Sequence, residues 1–175
     1  RDLVRSRGLG DVYKRQVSVL TLGCAEVWAA EATGQGNISA KIVAPVTVTE
    51  AQALDFGTIL APTSGTKKVK ISATDGSRSV DGGDNGILVS TNKGEAGLFN
   101  VTGAENQSMT IQVSDSVELT GTGDSMTVDN FVTEPASKLT LNGTSGQIKV
   151  GADLTVNQGQ DEGDYTGTYQ VTVSY

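Results

Sequence analysis

Between Thr33 and Tyr175 the chain has no histidine and no cysteine, which decides most of the chemistry open to it. A Ser-His-Asp triad, a Cys-His dyad and a His- or Cys-ligated zinc site all need side chains that this stretch lacks. Two serines sit in suggestive contexts. Ser64-Gly-Thr-Lys67 has the S-x-x-K spacing of penicillin-recognising enzymes, in which the serine attacks an acyl group. That chemistry needs a helix at this point and a companion K-T-G, whereas here a Gly-containing loop runs into an apolar alternation. Gly123-Asp124-Ser125 has no histidine to activate its hydroxyl and reads as a turn. Carboxylate pairs at glycosidase separation arise by chance when acids are this numerous, so none is singled out. Two oxygen-rich loops, Asp81 to Gly86 and Asp161 to Asp164, are the candidates for calcium. Against an EF-hand the first puts Gly83 at the third position and Asn92 at the twelfth, where glutamate is required, so a turn is the expected role. The reading is of a chain that is not an enzyme, with no catalytic, cofactor-binding or metal-binding residue.

The elements around these residues are strands. Tyr165, Gly167, Tyr169, Val171, Val173 and Tyr175 fall on one face of DYTGTYQVTVSY, and Thr166, Thr168, Gln170, Thr172 and Ser174 on the other. Such period-two alternation predicts a half-buried β-strand over 164–175. A second alternation places Ile38, Ala40, Ile42, Ala44, Val46 and Val48 on one face and predicts a strand over 37–49. Further strands are expected at about 53–60, 66–73, 86–90, 97–102, 108–113, 116–120, 125–133, 138–142 and 147–156. The strand carrying Val69 and Ile71 is expected near a sheet edge. A bulge is expected at 129–131, where Met126 and Val128 lie on the face opposite Phe131, and a kink at Gly151. Asp75-Gly76 and Asn142-Gly143 are hairpin signals, because both residue types tolerate positive φ. No helical stripe occurs after Thr33. Recurring short strands with Gly- and Asn-rich turns predict an all-β, immunoglobulin-like sandwich with almost no helix.

Residues 1–16 hold Arg1, Arg5, Arg7, Lys14 and Arg15 and show no period, so they read as a non-native leader. Residues 17–32 combine a short apolar run with Ala30-x-Ala32, the pattern of a signal peptide cleaved before Thr33. The run is shorter than the roughly 20 residues of a spanning helix, and no membrane span is expected. Export follows, to the periplasm or the bacterial cell surface. Without the five basic and four acidic residues before Thr33, eight cations face sixteen anions, a net charge of −8 for a single domain over 33–175. That balance disfavours nucleic acid and anionic membranes as partners.

The block from Ala44 to Gly65 (APVTVTEAQALDFGTILAPTSG) resembles the opening of the bacterial domain family DUF4402. D-G-S-R-S at Asp75 to Ser79, F-N-V-T-G ending at Gly103, L-T-G-T-G at Leu119 to Gly123 and the closing G-D-Y-T-G-T-Y-Q-V-T-V-S-Y fit the same family, in order. The family carries no assigned activity. More distantly, L-x-F-G-T at Leu54 to Thr58 and the closing strand are similar to chaperone–usher pilins and spore-coat-U-like proteins. That resemblance implies a sandwich lacking one strand, completed by the N-terminal segment of the next subunit. It implies Ile38, Ala40 and Ile42 as donor residues, and Tyr165, Tyr169, Val171 and Val173 as the acceptor edge. Tyr175 would be a terminal signal for a periplasmic chaperone. Those proteins usually carry a disulfide near the N-terminus, and this chain has no cysteine there. The expected function is a non-catalytic surface module, fimbrial or adhesin-like, whose partners are copies of itself or related subunits through strand exchange. Two alternatives stand beside it: 37–49 pairs within its own sandwich, or the domain is a monomeric carbohydrate- or ligand-binding module.

Overall fold

The computed structural model describes residues 31–83 and 86–175. The leader, most of the signal segment, and Asp84 and Asn85 of the first oxygen-rich loop lie outside the described residues. The chain divides into two units, 1–40 and 41–175. The described part of the first, 31–40, is exposed and holds no strand.

Ten strands build the described part of the second unit, and no described residue is helical. They are β1 (Thr47–Gln52), β2 (Lys67–Ile71), β3 (Arg78–Val80), β4 (Gly97–Thr102), β5 (Ser108–Val113), β6 (Ser116–Leu119), β7 (Met126–Glu134), β8 (Lys138–Thr140), β9 (Ser145–Val156) and β10 (Val171–Ser174). All pairings are antiparallel. β1 to β4, β6, β7 and β9 form one sheet, and β10-β5-β8 the other. The chain is an all-β sandwich.

β9 organises the large sheet. Its residues Ile148, Val150, Ala152, Leu154 and Val156 alternate without interruption onto the buried face. β7 pairs with 149–154 on one edge. The opposite edge is divided, with β4 taking Ser145 to Val150 and β2 taking Ala152 to Val156. Gly151 stands at the division. A Cβ there would collide with the Ile71 carbonyl and lie 2.6 Å from the Ala73 nitrogen, where β2 leaves the sheet. The expected kink is therefore not a break in β9, and glycine is needed for close approach of a neighbouring backbone. β7 bulges between Asp129 and Val132 as its sequence predicts, with Asn130 at φ 51°. β2 lies next to the sheet edge, as expected, with the three-residue β3, from the short segment between two Gly turns, on its outer side.

The divided edge separates two cores. One lies between the large sheet and the small one: Val101, Ile148 and Val150 against Met109, Ile111 and Leu139. The other lies on the rest of the same face of the large sheet: Val69, Ile71, Met126, Val128, Leu154 and Val156. Among the described residues, no strand of the small sheet contributes to the second core. Phe56, Ile87 and Ala96, from connecting segments, cover it instead. The outer face of β2, β9 and β7 is charged, with Lys68 pairing Asp129 at 2.9 Å and Lys70 Nζ 3.7 Å from Asp153. The hydrogen bond that Lys68 donates to Asp129 raises the Lys68 pKa.

Two expected strands are absent. Residues 53–60 and 86–90 hold only isolated bridges, Asp55 to Glu95 and Ile59 to Leu88. The strand expected over 37–49 begins only at Thr47, and that expected over 164–175 shrinks to Val171–Ser174. Alternation marks a chain with two unlike faces, but a strand also needs a partner for its backbone. Residues 37–46 and 164–170 have no continuous one.

Candidate functional site

The second core is open on one side. A cleft of about 1020 Å³ lies over it, between the segments 53–61 and 160–169. Its floor is apolar: Val117 and Leu119 of β6, Met126 and Val128 of β7, Leu154 and Val156 of β9.

The first wall is held by the L-D-F-G-T motif. Asp55 and Glu95 exchange backbone hydrogen bonds at 2.9 and 2.7 Å, and the Asp55 carboxylate accepts from the Gly57 N–H at 2.7 Å. Gly57 and Gly94, at φ 69° and 70°, lie against each other's backbone so closely that a Cβ at either would collide. Arg78, from D-G-S-R-S, supplies the brace. Its guanidinium donates to the carbonyls of Phe56 (2.7 Å), Thr58 (3.1 Å) and Val89 (2.7 Å). One planar side chain thus ties together three carbonyls of two segments, of which that of Thr58 also accepts from the Val89 N–H at 3.2 Å.

The second wall is built where L-T-G-T-G meets G-D-Y-T-G. Thr120 and Thr166 exchange backbone bonds at 2.9 Å each. Gly121 makes room for the Tyr165 ring, and Gly167 for the Leu119 side chain and the Glu118 carbonyl. The Tyr165 hydroxyl accepts from Gln160 Nε2 at 2.9 Å and donates to the Asp161 carbonyl at 3.0 Å. The family-like motifs, far apart in sequence, are thus the two walls of one cleft.

Tyr169 closes the inner end. It stacks on Phe131 (centroids 5.3 Å apart, 27° between planes) and meets Phe99 edge-on at 5.8 Å. Its hydroxyl is buried against Gly97 with no hydrogen-bond partner among the described residues. Burial, and then the charge of Glu50, push its pKa up to about 12.

The mouth is acidic. Glu50, Asp55, Asp161, Glu162 and Asp164 are exposed cleft residues, and among the described residues no lysine or arginine lines it. The described ion pairs, Lys68–Asp129 and Lys70–Asp153, involve none of the five. The loop weighed for calcium, Asp161 to Asp164, belongs to this mouth. No group of three or more metal-binding side chains occurs among the described residues. Ser64 lies in a bend before β2. The site can therefore hold an apolar partner bearing positive charge.

The chain matches the family described as "Domain of unknown function (DUF4402)" over residues 46–175. It belongs to the DUF4402 family. Nothing among the curated proteins or the solved structures matches it.

In this DUF4402 domain the expected acceptor residues divide. Tyr165 and Tyr169 line the cleft. Val171 and Val173 sit in β10, opposite Val113 and Ile111, and pack half-buried on the first core. β1 and β10 both end their sheets, so each keeps one edge without a strand neighbour among the described residues. Ile38, Ala40 and Ile42 are exposed, with Ile38 98% and Ile42 95% accessible. The Tyr175 hydroxyl donates to the Ala44 carbonyl at 2.6 Å and accepts from the Ala104 N–H at 2.9 Å. Sequence reasoning did not reach Arg78 as a brace, Leu54 and Phe56 as a wall, or the acidic mouth. Their signal was present in L-D-F-G-T and D-G-S-R-S, but only the fold brings the two together.

Proposed function

We propose that this DUF4402 domain is a non-catalytic structural module of the bacterial cell surface that assembles by β-strand donation. In this reading it is exported, and the partner is another copy or a related subunit. Ile38, Ala40 and Ile42 are the donor residues. One observation carries the reading: a segment with alternating apolar side chains, unpaired and almost fully exposed, occurs in the same chain as an uncovered apolar cleft. Exposed apolar side chains at strand spacing gain by burial, about 1.5–3 kcal/mol for each large one. Donation would also give the free backbone of the acceptor a ladder partner. Tyr175, which ties the chain at Ala44, would fix where the donor segment leaves its own domain.

Light scattering on the chain from Thr33 onward, beside the chain from Val46 onward, tests this. The longer form is expected to associate. The shorter one stays monomeric and melts lower until a peptide of residues 33–45 is added. Two stable monomers with equal melting temperatures overturn strand donation.

A further inference from the structure

Resting on that reading, we infer that Lys41 selects and registers the donated segment by pairing with the acidic mouth of the cleft on a second copy. The charges point there. From Thr33 to Thr49 the chain carries a single charged side chain, Lys41, and no acid. Lys41 is exposed and takes part in neither ion pair of the described residues. The cleft has five exposed carboxylates and no base among its lining residues.

The spacing supports the same pairing. In an extended segment successive side chains point to opposite faces, at about 3.3 Å per residue. With Ile38, Ala40 and Ile42 turned to the apolar floor, Lys41 turns outward, to the level of Asp55 on one wall or Asp161, Glu162 and Asp164 on the other. A slip by one residue would carry Lys41 onto the floor among Met126, Val128 and Leu154, where an unpaired ammonium is strongly disfavoured. The lysine therefore discriminates between registers as well as between partners. An acidic donor would meet like charge at the mouth, which is how an interface rejects a wrong segment.

Association of the full chain, followed by light scattering at low and high salt, tests the inference with Lys41→Glu, Lys41→Gln and Ile38→Asp. Circular dichroism melting confirms that each variant stays folded. Lys41→Glu is expected to slow association roughly tenfold at low salt, and Lys41→Gln less. The difference closes at about 1 M salt, where screening acts within a few Å. Neutralising the mouth with Asp161→Asn, Glu162→Gln and Asp164→Asn makes wild type and Lys41→Glu alike. If Lys41→Glu associates as wild type does while Ile38→Asp is inert, strand donation stands and the role of Lys41 is overturned. If Ile38→Asp also associates as wild type, or the wild type remains monomeric throughout, the assembly reading falls and this inference with it.

Discussion

The two cores lie on the same face of one sheet and share β9, yet one is closed by strands and the other by loops. Around Ile148 and Val150 the cover is the small sheet, whose alternating Met109, Ile111 and Leu139 interdigitate with the large one. Around Leu154 and Val156 the cover is Phe56, Ile87, Ala96 and half of Tyr165, from segments that owe their conformation to glycines and to Arg78. A sheet satisfies its own backbone and leaves its side chains free to pack. A loop cover needs side chains to satisfy its carbonyls and leaves gaps between the walls. The cleft is such a gap. The contrast teaches that a strand cover closes its core, whereas a loop cover leaves room for a cleft.

The comparison is tested most strongly by deleting equal volume from each half. Ile148→Ala empties a site with no solvent exposure and is expected to cost about 2–5 kcal/mol in urea unfolding. Leu54→Ala, in the half-buried wall, should cost less than half as much, since the cleft already admits water there. Equal losses would mean that the loop cover packs as a sheet does.

A smaller effect separates the halves by location. Arg78→Met removes three hydrogen bonds and should cost about 1–3 kcal/mol. Hydrogen exchange would accelerate at Leu60 and Val89, whose N–H groups bond Ile87 and Thr58, and remain slow in β5 and β9. Faster exchange throughout would show that the brace supports the whole sandwich.

The smallest change probes the boundary between the halves. Tyr169→Phe removes a buried hydroxyl without a partner and should be neutral, or stabilising by up to about 1 kcal/mol at pH 7. Its pH dependence has a definite sign. The folded pKa is raised from 10.0 to about 12, so the folded state favours the protonated phenol. That contribution is complete below pH 10 and is lost between about pH 10 and 12, as the unfolded chain ionises first. Absorbance titration of the phenolate should therefore show one late tyrosine that is missing in Tyr169→Phe. Its absence from the wild-type curve would place the hydroxyl in water.

Much of the closed half was legible in the sequence. Met109, Ile111 and Val113 alternate and form β5, Ile148 to Val156 alternate and form β9, and Asn142-Gly143 turns between β8 and β9. The bulge at 129–131 followed from a change of apolar phase inside β7. These features are local, because the face a side chain takes depends on its neighbours two residues away. The open half was legible as motifs but not as a site. L-D-F-G-T and D-G-S-R-S stand about twenty residues apart, and nothing in their spacing says that an arginine of one braces the carbonyls of the other.

The sequence by itself determined the all-β class, the polarity of each strand's faces and the exclusion of histidine and cysteine chemistry after Thr33. Tertiary structure alone decided which alternating segments became strands. The segments around Ile38 and Tyr165 alternate as clearly as β9 does, yet lie outside the ladders. Periodicity is a property of one chain segment, whereas a β-ladder requires a second segment to present its N–H and C=O groups in register. Where the fold brings no such partner, an apolar face stays unpaired, and here both the cleft and the N-terminal segment keep theirs.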